Sequence, residues 1–466
     1  MSGRPAFRSG AVSRKPVMDD QDLRRYFLLS ACTAFSMLWF VAAWMASDRW
    51  ETQPLLMATL SLSMCVLIAE QQSLWLMLPA MRRPAPKSAR RGWKVGVVTT
   101  HVPGAESIEL LERTVRALVA LDYPHETWVL DEGDRADVRA LCARLGARYY
   151  SRAAEPAYRT ESGPFQFPSK HGNYNAWLHE IAYARYDIVT AFDPDHVPAP
   201  AFLGKVLGYF DDPRVGYVQT PQAYSNQAQS LVARGAAEET YGFYSIFQMA
   251  CFGRRQTLVI GCHNTHRVRA LQGAGGFAAH DADDLLLSLH YQRLGWEGVY
   301  VPEVLARGLT PTEWGSYLRQ QRRWARAILD LKFRTMPQLL PMLPWRVRLM
   351  GAVQGLSFLL TSGAFVAQVI GSTWLMLTGR PGQLVSTAVL ASGAAVMAAT
   401  LLCRRELQRF YLDPEREGGW HWRAAVLQLV KFPWVLLALA DVVLHRHVPY
   451  VTTPKTTPEP VEARAA

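Results

Sequence analysis

Ile188-Val189-Thr190-Ala191-Phe192-Asp193-Pro194-Asp195-His196 reads as a strand that runs straight into a turn carrying two carboxylates. Residues 188–192 are apolar or β-branched throughout, without the polar alternation of a half-exposed strand, which predicts a strand covered on both faces. Pro198 then opens a helical stretch, 199–209. Two acids two residues apart at the end of a buried strand suit one hard cation, Mg2+ or Mn2+, that also takes phosphate oxygens. Asp193 and Asp195 are therefore candidate metal ligands. Taken alone, the tripeptide is also a turn or a helix cap; its place directly behind a β run favours the metal.

Outward from this stretch, apolar β-rich runs alternate with amphipathic ones from Lys94 to about Thr310. The expected strands are 95–100, 127–130, 148–151, 188–192 and 215–219, and the expected helices are 107–121, 136–145, 173–185 and 199–209. Such alternation predicts a mostly parallel sheet with helices on both faces. Ligands of these sheets bind beyond the carboxyl ends of the strands, where Asp131 and Glu132 also fall. A third acidic cluster, His280-Asp281-Ala282-Asp283-Asp284, precedes a helix at 285–294; it either caps that helix or holds a general base at its start. Gln320-Gln321-Arg322-Arg323-Trp324 lies on a later helix. That helix suits a membrane surface, and its arginine suits a diphosphate leaving group.

The flanks are apolar. Runs at 26–46 and 55–81, and again at 350–377 and 384–403, are each long enough to span a bilayer, the last two joined by a Gly/Pro-containing turn at 378–383. The first run has no convincing cleavage site and is not expected to be a signal peptide. Arg14, Lys15, Arg24 and Arg25 precede the first pair and Arg82, Arg83, Lys87, Arg90 and Arg91 follow it, which predicts a cytoplasmic N-terminus and middle region. These clusters face anionic lipid and account for much of the net charge of +11, so no nucleic-acid partner is expected. The six cysteines form no CxxC pair, which fits a reducing compartment. The spacing of Cys262, His263, His266 and His280 matches no common zinc pattern.

In this order, these clusters resemble the processive family-two glycosyltransferases, the class of cellulose, hyaluronan and chitin synthases. The resemblance runs from about Val95 to Lys455. It places Asp131 at the first nucleotide-binding Asp and Lys170-His171-Gly172-Asn173-Tyr174-Asn175 at the KxGNxN segment, with Lys170 and Asn173 holding the donor. Asp193 and Asp195 fall on the DxD, and Gln219-Thr220-Pro221-Gln222 on the QTPQ stretch near the acceptor, with Gln222 contacting it. Asp284 falls on the last residue of TED, the catalytic base; the triplet here is Ala282-Asp283-Asp284, a departure that puts Asp283 at the acceptor side and the details of acceptor binding in doubt. Gln320, Arg323 and Trp324 satisfy QxxRW, implying diphosphate binding by Gln320 and Arg323 and acceptor stacking by Trp324. Tyr450-Val451-Thr452-Thr453-Pro454-Lys455 approximates FxVTxK, a gating loop carried by Tyr450, Thr453 and Lys455.

The resemblance implies an α/β GT-A-type, Rossmann-like cytosolic domain between two pairs of transmembrane helices. The expected layout is a cytosolic tail (1–25), two transmembrane helices (26–81), the glycosyltransferase domain (92–330), an interfacial helix (331–349), two transmembrane helices (350–403) and a cytosolic or interfacial remainder with the gating loop (404–466). For that loop to reach the site, residues 422–444, with Lys431, Pro433 and Asp441, must lie along the membrane rather than cross it. No regulatory module is expected after Lys455. The implied activity is inverting transfer, in the inner membrane, from a nucleotide-sugar, by default UDP-glucose, to a growing β-linked polysaccharide. Membrane lipids and export machinery are the implied surroundings. The rivals are single transfer to a lipid-linked acceptor and a non-catalytic subunit of an envelope polysaccharide complex.

Overall fold

The computed structural model describes residues 11–353, 355–378 and 386–446. The gating-loop residues Tyr450, Thr453 and Lys455 and the 379–383 part of the expected turn lie outside the described residues. In chain order the strands are β1 (Arg14–Pro16), β2 (Arg82–Pro84), β3 (Val95–His101), β4 (Glu126–Asp131), β5 (Arg148–Tyr150), β6 (Ile188–Phe192), β7 (Val197–Pro198), β8 (Val215–Gln219), β9 (Ala223–Tyr224), β10 (Asn264–Arg267), β11 (Glu297–Tyr300) and β12 (Ala306–Gly308).

Seven of them form the main sheet, in the order β11-β8-β10-β6-β3-β4-β5. β3 runs parallel to both β4 and β6, as β4 does to β5 and β8 to β11. The sheet is mostly parallel, as expected, and β10 is its antiparallel member, paired with both β6 and β8. Every residue of β3, β6 and β8 is buried, which is why these strands read as mainly apolar and β-branched runs without polar alternation. Successive residues face opposite layers. Val97 joins a core with Phe192, Val218 and Val299, whereas Val98 joins one with Val189, Trp177 and Leu287. Fully burying a side chain such as Phe192 is worth about 1.5–3 kcal/mol, and two such layers hold the sheet rigid beneath its loops.

Among the described residues, five helices are long and apolar enough to cross a membrane, judged by length and composition: Asp20–Met45, Pro54–Ala80, Leu359–Thr378, Thr387–Phe410 and Trp422–Val443. The first starts earlier than its apolar run because Asp19 and Asp22 form a reciprocal capping box. Asp20–Met45 packs on Thr387–Leu407, and Pro54–Met77 on Ser357–Thr378. Buried polar contacts tie them together: Trp75 Nε1 donates to Ser30 Oγ (2.9 Å) and Gln368 Nε2 to Ser63 Oγ (2.8 Å).

The Trp422–Val443 helix packs on Trp314–Asp330 and Leu231–Glu238 of the domain. Its charges point to partners there, Lys431 to Glu239 (2.9 Å) and Asp441 to Arg322 (2.6 Å). The single interfacial helix expected at 331–349 is instead broken into Leu331–Thr335, Met336–Leu339, Leu340–Met342 and Trp345–Val353. Pro337, Pro341 and Pro344 each remove a backbone donor and clash with the preceding turn.

Candidate active site

The loops at the carboxyl end of the sheet open onto one cavity of about 2600 Å3. Its floor carries Lys170, Asp193, Asp283 and Asp284, its side Gln320, Arg323 and Trp324, and it continues to Leu67, Phe365 and Leu401 of the apolar helices.

Asp193 ends β6 and meets Lys170 Nζ at 2.6 Å. Lys170 sits in the first turn of the Lys170–Trp177 helix, where Ser169 Oγ caps by accepting the Gly172 N–H at 3.0 Å. Any side chain at residue 172 would put its Cβ 2.2 Å from the Gln166 carbonyl, so this turn needs glycine. Lys170 also donates to the Gly261 carbonyl at 2.9 Å. Burial works against its charge, but the Asp193 carboxylate, with help from Asp283, holds the ammonium well above its ordinary range. Asn173 donates to Leu130 O at 3.2 Å and lines the cavity, and its buried Oδ1 has no partner among the described residues. Asn175, by contrast, is tied to both the N–H and C=O of Phe277 and serves the fold.

Asp195 is 1% exposed; its Oδ2 accepts the Leu309 N–H at 3.0 Å and its Oδ1 lies 3.3 Å from His196 Nδ1. Donor atoms of Asp193, Asp195 and His196 lie within 4.8 Å of one another. Two carboxylates in such a group fit Mg2+ or Mn2+.

Asp283 and Asp284 fall on the first turn of the Asp283–Arg293 helix, which starts two residues earlier than the sequence suggests. Asp284 accepts the N–H of Gly261 (2.8 Å) and of Leu285 (2.7 Å). Burial raises the Asp284 carboxyl, and those two N–H groups partly offset it. Burial and then the charge of Asp284 push Asp283 up to about 7. A carboxylate poised this way is a fit proton acceptor at neutral pH.

Gln222 also lines the cavity, and its Oε1 accepts the Tyr244 hydroxyl at 2.8 Å. Trp324 is 40% exposed, leaving a ring face open to a sugar. Asp131 is where expectation and geometry part. Its carboxylate is buried and takes His101 Nδ1 (2.9 Å), the Gly133 and Arg135 N–H groups and the Tyr149 hydroxyl (3.0 Å). It does not reach the cavity wall; neighbouring Glu132, paired with the buried Arg152, does. Its four donors make Asp131 a tie within the loop after β4.

Sequence reading missed residues 260–262. Gly261 bonds both Lys170 and Asp284, Cys262 Sγ accepts the Asp193 N–H at 3.2 Å, and Gln219 Oε1 accepts the Ile260 N–H at 2.9 Å. These are mostly backbone contacts, which leave no residue-type signature.

Over its domain and helices the chain superposes on a mannosyltransferase from Pyrobaculum calidifontis, solved with GDP-Man and Mn2+, with a TM-score of 0.57 at 16% identity, covering 84% of this chain and 100% of that one. The mixed sheet with its acid-lined carboxyl edge is thus the GT-A fold. Residues 96–327 match the model described as glycosyltransferase like family 2, so the chain carries a family-two domain, one that resembles the cellulose synthases. It is 29% identical over 282 residues to cellulose synthase 2 of Novacetimonas hansenii, and 27% identical over 324 residues to the UDP-forming catalytic subunit of cellulose synthase 1 of Komagataeibacter xylinus. The matches cover 58% and 65% of this chain but only 17% and 40% of those relatives.

Proposed function

We propose that the chain transfers a sugar, with inversion, from a nucleotide-activated donor to a growing β-linked polysaccharide, at the cytoplasmic face of the inner membrane, with UDP-glucose as the default donor. The observation that carries this reading is that Asp284 and Asp193 share one cavity floor, joined through Gly261 and Lys170.

Asp284 takes the proton of an acceptor hydroxyl. The hydroxyl oxygen bonds the anomeric carbon, the bond from that carbon to the diphosphate breaks, and nucleoside diphosphate leaves. Asn173 and Lys170 position the donor, Arg323 and Gln320 meet the leaving charge, and Trp324 with Asp283 and Gln222 holds the acceptor. Asp193 and Asp195 would hold Mg2+ or Mn2+, which when bound neutralises diphosphate charge. Proton abstraction is worth about two to four orders of magnitude.

Residues 92–330 form the cytosolic catalytic unit on this reading, flanked by paired crossings. The Trp422–Val443 helix lies along the membrane surface, a reading supported by the pairing of Lys431 and Asp441 with the domain rather than with the other apolar helices. A second acceptor reading, single transfer to a lipid carrier, draws on the apolar extension of the cavity to Leu67, Phe365 and Leu401. A non-catalytic role is disfavoured by the retention of Asp193, Asp195, Asp284 and Arg323.

The test is nucleoside diphosphate release by the purified protein in its membrane, offered UDP-glucose, UDP-N-acetylglucosamine or GDP-mannose with Mn2+ or Mg2+. Turnover of one donor into solvent-insoluble polymer supports the proposal. Product extracted into organic solvent supports the lipid acceptor, and no turnover of any donor defeats both.

A further inference from the structure

His196, which lines the cavity, follows β6, and Cys262 and His263 precede β10. The three are 3%, 1% and 0% exposed. Their donor atoms all lie within 4.8 Å of one another, and the two imidazole rings are 5.2 Å apart at 57°. Each ring has its Nδ1 occupied, His196 by Asp195 Oδ1 at 3.3 Å and His263 by Thr220 Oγ1 at 2.8 Å. His263 Nε2 has no hydrogen-bond partner among the described residues, and the His196 ring shares a hydrogen bond with the Cys262 thiol. A buried imidazole nitrogen left unpaired beside a second imidazole and a thiol is rare in a folded core. A histidine whose Nδ1 is held by an oxygen while its Nε2 stays open is arranged as metal-ligating histidines are.

The backbone is arranged around the same point. His263 adopts φ +38°, a left-handed conformation found where side-chain placement is over-determined by its surroundings. The His196 ring lies flat against residue 308, where any Cβ would come 2.3 Å from it, so that ring is locked in place.

We propose that His196, Cys262 and His263 bind a zinc ion, distinct from the hard cation of Asp193 and Asp195. Two imidazoles and a thiolate select zinc over Mg2+ or Mn2+. Bond lengths of about 2.1 Å to nitrogen and 2.3 Å to sulfur put tetrahedral donors about 3.5 Å apart, inside the 4.8 Å that bounds the separations here. Three protein donors match the zinc sites that keep a fourth position for water. The ion would clamp the loop after β6 to the loop before β10, joining the segments that carry Asp193 and Gly261. Binding releases the Cys262 thiol proton to solvent and involves no redox change.

The test is metal analysis of the full chain purified in detergent from zinc-containing medium, followed by dialysis against Mg2+. About one zinc per chain is expected in wild type and in Cys251→Ser, a buried thiol elsewhere, with at least a tenfold loss in Cys262→Ser and in His263→Gln. Wild type without zinc, or zinc retained equally by Cys262→Ser, overturns the proposal. Should both variants fail to fold, cobalt exchanged into wild type decides. A thiolate-to-cobalt charge-transfer band with strong tetrahedral d–d bands supports the site, and cobalt bound without them overturns it.

Discussion

The Lys170 ammonium stands 2.6 Å from Asp193 and 2.9 Å from the carbonyl of Gly261, so a single cation bridges the loop that follows β6 and the loop that precedes β10. Lys170→Met keeps the length of the side chain and removes the bridge. The expected result is a fall of about a hundredfold in kcat/KM for the nucleotide-sugar, since a charged donor at the leaving group is lost. Activity within threefold of wild type would take Lys170 out of the donor site.

Asp284→Asn retains one acceptor for the Gly261 or Leu285 N–H but cannot take a proton. Turnover is expected to drop by about two to four orders of magnitude while donor affinity, read by titration calorimetry, changes little. Equal losses of binding and turnover would indicate a collapsed loop rather than a missing base.

The neighbouring acids give the enzyme an acid limb. Asp283 is raised to about 7 and Asp284 is raised with it, so kcat/KM rises with pH until the pair has ionised. Asp283→Asn removes one charge, and the limb moves to lower pH. Stability runs the other way. A folded-state pKa above the unfolded value means that the folded chain binds more protons between about pH 4 and 7, and its stability falls as pH rises through that window. Asp283→Asn is therefore expected to melt higher than wild type at pH 8, by about 2 °C or more, and to match it near pH 4. Thermal scans at the two pH values check both signs.

Arg322 and Asp441 fasten the Trp422–Val443 helix to the helix bearing Trp324. Asp441 is 2% exposed but Arg322 is more than a third exposed, so Arg322→Gln costs about 1–2 kcal/mol rather than the full cost of a buried pair. Limited proteolysis between 411 and 421 should quicken in Arg322→Gln and return towards wild type in Arg322→Gln with Asp441→Asn. No recovery in the double variant would mean that the two charges are not coupled.

The proposed lie of that helix has its own check. Arg446→Cys, in a background where Cys32 and Cys65 are serine, should react with an impermeant maleimide only from the cytoplasmic side. Labelling from outside the membrane would make the helix a crossing.

The buried strands were legible because they are mainly apolar and β-branched without polar alternation, and the acids were legible because they follow directly. β10 was not. Asn264-Thr265-His266-Arg267 is polar at every position yet buried, satisfied by bonds such as Tyr291 Oη to His266 Nδ1 (2.9 Å) and Arg267 Nε to the Val215 carbonyl (2.8 Å). Hydrophobic periodicity has nothing to detect in such a strand. Asp131 matched its motif, but a motif carries residue type and not direction, and four donors tie the carboxylate within the loop after β4. The resemblance implies one interfacial helix at 331–349, a stretch in which the sequence carries Pro337, Pro341 and Pro344.

Gly261 offers its N–H to Asp284 and its C=O to Lys170, with the Cys262 thiol next along the chain holding the Asp193 amide. One peptide step thus sets the gauge between the proton acceptor and the pole where the diphosphate departs. On the proposed mechanism, substrates of differing bulk cannot be fitted by stretching that interval. Changes in what the enzyme accepts must arise at the far, apolar end of the cavity, so variants selected for new acceptors should collect there and leave residues 260–262 untouched.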